Sequence, residues 1–394
     1  MGEVVRKKRR FVQFAVKCTA RNWLMARIST PSCLGGTRSL GFIAALCVAS
    51  LPFAFAIPPR QAPASTLPAL RTLAKARGIT IGSAVPARLL SDAQYTAILA
   101  SEFSQLEPEN EMKFAAIHPR PDSDPQPYNF APADSLVAFA NEHNMLVRGH
   151  TLVWHKQVSD WVANGNLPAS QLAGVLHNHI RTVVARYASK VYAWDVVNEA
   201  FDTDGSLRNT LWYNQPGIGA GTGTKFIEQA FRWAHEGDPS AKLFYNDYDA
   251  EDVNAKSDAI YAMAKDFKER GVPLDGIGFQ SHLTLKFDEP AKLESFARNL
   301  ERFAKLGLEL HITELDVRLD DATPASFTAQ AKLYGEVASI CVRQPSCKLI
   351  QTWGLTDKYS WIPRAFPGHG WALLWDETYQ KKPAYDALRA AFAK

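Results

Sequence analysis

The sequence predicts an α/β protein, a single (β/α)8 barrel, and three observations lead there. Eight short apolar runs recur along the chain with helix-patterned segments between them. Nearly every run ends in carboxylates, amides, histidine or tryptophan. Beyond residue 70 no linker, internal repeat or low-complexity tract interrupts the pattern. Strands alternating with helices build a parallel sheet, and polar strand ends mark the face where a barrel carries its site. An open, doubly wound sheet is the second arrangement that the same alternation allows.

Residues 1–56 read as an export leader. The apolar run Leu40–Phe55 follows Arg38 and closes on Ala54-Phe55-Ala56, a small-residue cleavage pattern ahead of Ile57-Pro58-Pro59. A membrane-spanning helix needs about 20 apolar residues and no such site, so no stable membrane anchor is expected and the location is secreted or periplasmic. The stretch before the run is long for a leader, which makes Met25 a candidate true start. Arg9-Arg10-Phe11 resembles a twin-arginine signal but lies far upstream of the apolar core. The leader holds nine basic residues and one acid, leaving 35 bases against 39 acids in residues 57–394. That slightly acidic body gives no electrostatic case for nucleic acid.

Residues 57–70 (IPPRQAPASTLPAL) read as a Pro/Ala-rich tether, with the folded domain at 71–394. The strand candidates are Ile79–Ala84, Phe103–Glu107, Met145–Gly149, Ala193–Val197, Lys242–Tyr245, Gly276–Gln280, Glu309–Thr313 and Lys348–Thr352. Helical periodicity marks Ser135–His143, Leu172–Tyr187, Thr224–Glu236, Asn254–Arg270, Ala291–Leu306, Pro324–Val342 and Pro383–Lys394, with Arg270-Gly271 and Leu306-Gly307 as stops. Cys341 and Cys347, the two cysteines beyond the leader, flank Pro345; in an exported protein a local disulfide is the favoured reading and two free thiols the alternative. They have no histidine pair with which to complete a structural zinc site.

The strand ends collect one chemistry. They run Glu107-Pro108-Glu109-Asn110-Glu111-Met112-Lys113, then Gly149-His150, Asn198-Glu199, Asn246-Asp247-Tyr248, Gln280-Ser281-His282, Glu314-Leu315-Asp316 and Trp353. There is no G-x-S-x-G elbow and no H-E-x-x-H pair. Flat aromatics beside hydrogen-bonding groups suit a sugar, whose ring faces are C–H and whose rim is hydroxyl. Two carboxylates across one mouth, Glu199 and Glu314, suit glycoside cleavage by an acid and a nucleophile or base. The glycine-rich Gly217–Lys225 has neither phosphate-loop nor dinucleotide spacing, and His177-x-His179 sits on a helix pattern away from the mouth.

The segments PENEMKF (108–114), VRGHTLVWH (147–155), WDVVNEA (194–200), YNDY (245–248), GIGFQSH (276–282), HITELDV (311–317) and WGLTDKYSW (353–361) resemble glycoside hydrolase family 10, the retaining endo-β-1,4-xylanases. The resemblance covers residues 70–394. It implies Glu199 as acid/base and Glu314 as nucleophile, with His282 contacting Glu314, Asp316 holding His282, and Asn198 meeting the sugar 2-hydroxyl. The charge of Glu314 is expected to raise the Glu199 pKa. Glu109, Asn110, Lys113, His150, Trp154, Gln280 and Trp353 match residues that line the sugar subsites, with Asn246 and Tyr248 as weaker matches. Gln157 and Trp361 resemble residues that crowd carbon 6, where glucose carries a hydroxymethyl and xylose a hydrogen. The implied ligands are xylan and xylo-oligosaccharides, met by a monomer that needs no cofactor and no metal. Two departures, Val158-Ser159 after Gln157 and the Pro/Asp-rich loop Asp122–Pro127, touch outer subsites and not the chemistry.

Overall fold

The computed structural model describes residues 68–394, apart from Ala220. The leader, its cleavage point and residues 57–67 lie outside the described residues. Leu70, assigned above to the tether, opens the helix Leu70–Ala76 with its side chain fully buried.

Nine strands follow: β1 (Thr80–Val85), β2 (Gln105–Pro108), β3 (Leu146–Val153), β4 (Ala193–Asn198), β5 (Lys242–Asp247), β6 (Gly276–Phe279), β7 (His282–Thr284), β8 (Glu309–Arg318) and β9 (Cys347–Thr352). Each pairs in parallel with its neighbours, and two pairings close the ring: β1 with β9, and β6 with β8. The result is the (β/α)8 barrel, not an open sheet. The three-residue β7 is not a barrel strand; it pairs with β8 alone, through Asp316–Arg318. That extra partner explains why β8 runs on to Arg318, past the Thr313 expected from sequence, and carries Glu314 and Asp316 within a strand.

Helices cover the barrel at Ala131–Glu142, Ala169–Arg186, Lys225–Gly237, Ala255–Glu269, Pro290–Ala304, Pro324–Arg343 and Pro383–Ala393. Asn254 caps one of them in a reciprocal box with Ser257, each side chain accepting the other's backbone N–H at 2.9 Å. Ala93–Glu102, which the sequence pattern passes over, is started by Asp92, whose carboxylate accepts the Gln94 and Tyr95 amides. Between helices and strands the packing is apolar: Leu99, Leu136, Ile180, Phe231, Phe267, Leu300, Leu333 and Leu388 are all fully buried.

Inside the barrel most side chains are polar, with the Phe244 ring packed against Arg148 and His311. Gln105 donates to Gln351 at 2.6 Å, and Gln351 donates on to Glu107 at 2.7 Å and to the Thr313 carbonyl at 2.7 Å. Glycine makes room for this: a Cβ on Gly278 of β6 would lie 2.2 Å from the Asn246 carboxamide. Cys341 and Cys347 are joined in a disulfide that ties the helix Pro324–Arg343 to β9. Among the described residues no helix is long and apolar enough to cross a membrane.

Candidate active site

A cleft of ≈ 920 Å³ opens at the C-terminal ends of the strands. Glu199 stands just past β4 at φ 57°, a left-handed backbone rare for a residue with a Cβ. Arg208 holds it there by donating to the Glu199 carbonyl at 3.1 Å. The Glu199 carboxylate accepts three hydrogen bonds, from Trp154 Nε1 at 2.9 Å, Gln280 Nε2 at 3.1 Å and Asn198 Nδ2 at 3.3 Å.

Glu314 faces it from β8, only 4% exposed. Asn246 Nδ2 donates to one of its oxygens at 2.8 Å, and His282 Nε2 lies 3.1 Å from the other. The His282 Nδ1 in turn meets Asp316 at 2.9 Å, on the oxygen that also accepts Trp361 Nε1 at 2.8 Å. Asn198 Oδ1 joins the two carboxylate environments, accepting from Asn246 at 2.9 Å and from Gln280 at 3.1 Å.

These contacts set the charges. Burial alone would depress the His282 imidazole, but Asp316 and Glu314 on either side push it up to about 10, so it is an imidazolium donating from both nitrogens. At Glu199 the structure reverses the sequence expectation. Burial raises its carboxyl, yet the Trp154 and Gln280 donors, helped by Lys156 and His155, hold it below the usual carboxylate range. The bonds to the ionised form outweigh burial and any repulsion from Glu314. Burial lowers the Lys113 ammonium, which sits over Trp154 at 4.9 Å and Trp353 at 5.5 Å and donates to Asn110 at 3.2 Å.

The floor beneath the cleft is a buried ion cluster. Arg148 donates to both oxygens of Asp195, lies 3.3 Å from Glu107 and 2.7 Å from His311 Nδ1, and stacks on Phe244. His150 Nδ1 meets Asp195 at 3.0 Å. Glu107, His150 and Asp195 bring ligand-type atoms within 4.8 Å of one another. The Arg148 guanidinium already supplies the cation those carboxylates face, so the cluster is a poor fit for a metal ion.

Of the residues expected from sequence, Glu109, Asn110, Lys113, His150, Trp154, Gln157, Asn198, Glu199, Tyr248, Gln280, His282, Glu314, Trp353 and Trp361 line this one cleft. Asn246 does not. It is fully buried, behind Asn198 and Glu314, and its carboxamide is used up by them and by Thr313, so it is corrected from a sugar contact to a support for Glu314. Asp316, also fully buried, stands behind His282 as expected. Sequence reasoning missed Glu251 on the cleft wall, Arg148 and Asp195 in the floor and Arg208 behind Glu199. The only sequence signal for Glu251 is its place three residues after YNDY.

A closed parallel barrel that presents two buried carboxylates, on neighbouring polar networks in one aromatic-walled cleft, has the architecture of a glycoside hydrolase. Residues 69–391 match the profile described as Glycosyl hydrolase family 10. The chain is 43% identical over 325 residues to endo-1,4-beta-xylanase B of Thermotoga neapolitana, covering 81% of this chain and 90% of that protein. It is 41% identical over 327 residues to endo-1,4-beta-xylanase A of Phanerodontia chrysosporium, covering 82% and 77%. Its fold superposes on the crystal structure of xylanase 10B from Thermotoga petrophila RKU-1 in complex with xylobiose with a TM-score of 0.77 at 46% identity, covering 82% of this chain and 97% of that one. The chain belongs to glycosyl hydrolase family 10.

Proposed function

We propose that the protein is an exported endo-1,4-β-xylanase that cleaves internal xylosidic bonds by double displacement, with retention at the anomeric carbon. One observation carries the reading. Two buried carboxylates that line one cleft have different supports, Glu314 an imidazolium and an amide, Glu199 neutral donors.

Glu314 attacks the anomeric carbon while Glu199 gives its proton to the leaving oxygen, forming a covalent glycosyl-enzyme. Attack neutralises Glu314, after which Glu199 takes a proton from the water that releases the sugar. In the free protein Glu199 favours its charged form, so the proton must be loaded as substrate binds. A sugar that expels water from the cleft increases the burial penalty on the anion and works in that direction. Xylan is favoured over glucan because Trp361 is pinned by Asp316, and Gln157 lies 3.3 Å from Asn110, leaving a fixed wall against a hydroxymethyl group.

The roles separate in a leaving-group experiment. Glu199→Ala should recover activity on a dinitrophenyl xylobioside, whose leaving group needs no proton, and further with added azide, which attacks the glycosyl-enzyme without a general base. Glu314→Gln should recover with neither. The same response from both variants would reject the assignment. Export rests on the leader alone; the exported protein should begin at Ile57, and a product that keeps Leu40–Phe55 would contradict that.

A further inference from the structure

Three residues after β6, Gln280, Ser281 and His282, act on both carboxylates at once. Gln280 donates to Glu199 and His282 meets Glu314, while the Gln280 and Ser281 carbonyls accept the Glu314 and Asp316 amides at 2.9 and 3.3 Å. Between the two acting side chains, Ser281 lies fully buried at φ 61°. A residue with a Cβ stays in that region only when its surroundings over-determine it.

The Ser281 backbone N–H has one hydrogen-bond partner among the described residues, Glu251 Oε1 at 2.7 Å. Glu251 is itself 4% exposed, at the wall of the cleft. Its backbone is fixed from outside the barrel: Asn299, fully buried on the helix Pro290–Ala304, donates to the Ala250 and Glu251 carbonyls at 2.7 and 2.8 Å.

We infer that Glu251 is a positioning residue: its buried carboxyl accepts the Ser281 amide and so fixes the turn that aims Gln280 at Glu199 and His282 at Glu314. Its work is that of an acceptor, not of a charge. Burial pushes its carboxyl up to about 7, against the pull of its own amide, the Ser281 amide and His282, with Asp249 adding to the rise. An amide side chain offers the same carbonyl acceptor without the buried charge.

The inference rests on the roles proposed for Glu199 and Glu314, and its test uses the mature protein on an aryl β-xylobioside. Glu251→Ala should lower kcat by about 10- to 100-fold, the scale on which small misplacements of catalytic groups act, with KM changed less than about threefold. Glu251→Asp, which keeps the charge but falls short of Ser281, should behave like Ala. Glu251→Gln should restore kcat to within about threefold of the parent. A folded Glu251→Ala or Glu251→Asp with parental kcat and only a lowered Tm would overturn the inference. So would Glu251→Gln as impaired as Glu251→Asp, which needs no folded alanine variant. If the parent itself left the xylobioside intact, the proposed function would fail instead.

Discussion

The same eight strands have two faces that differ in kind. Their outward side chains meet the helices through Leu, Ile and Phe, with Ile350 of β9 and Leu300 of the helix Pro290–Ala304 both fully buried. Their inward side chains form a continuous polar column, from Gln105 and Gln351 through Glu107, Arg148 and Asp195 up to His150 at the cleft. The outer face holds the barrel closed by area removed from water. The inner face gives each group few alternatives, because an unpaired buried charge or amide is costly. Both faces therefore carry stability, and the inner one carries the alignment of the site as well.

Paired variants break that comparison most directly. Arg148→Met removes the cation from between Glu107 and Asp195, and should cost about 3–5 kcal/mol in denaturant unfolding. It should also lower kcat in the folded fraction, since His150 shares Asp195. Leu300→Ala opens a cavity in the shell and should cost about 2–5 kcal/mol, with kcat unchanged below the unfolding transition. Loss of kcat in Leu300→Ala, or its retention in Arg148→Met, would show that the faces are not divided in this way.

A smaller effect sharpens the charge assignment at the mouth. Trp154→Phe deletes one of the two main donors that hold the Glu199 carboxyl low. With the charged form less stabilised the pKa rises, so the acid keeps its proton to higher pH. The alkaline limb of kcat/KM should move up by about one unit, on the scale of one lost hydrogen bond to a carboxylate. A limb that stays or moves down would remove Trp154 from that role.

The division of faces also explains what the sequence revealed. Outward Val, Ile, Leu and Phe produce the apolar runs from which all eight barrel strands were read. Polar residues that finish those runs marked the mouth, and with it Glu199 and Glu314. Asn246 shows the limit: it sits in a strand-end motif like Asn198, and only the closeness that Gly278 permits turns it toward Glu314 instead of the cleft. The Glu199 charge was misjudged because its donors, Trp154 and Gln280, arrive from β3 and β6, far away in sequence. Glu251 and Arg148 act through partners in space, Ser281 and Asp195, so local spacing gives no hint of what they do. The helix Ala93–Glu102 has little apolar periodicity, and its Asp92 cap was the sole local signal.

The central claim is that the inner column aligns Glu314 to attack and Glu199 to protonate the same bond. Proton NMR of residues 57–394 digesting xylohexaose, followed before mutarotation, tests it most directly. The β-anomer should appear first at the new reducing end. First appearance of the α-anomer would mean single displacement by water, with carboxylates standing farther apart than a nucleophile and its acid partner can be.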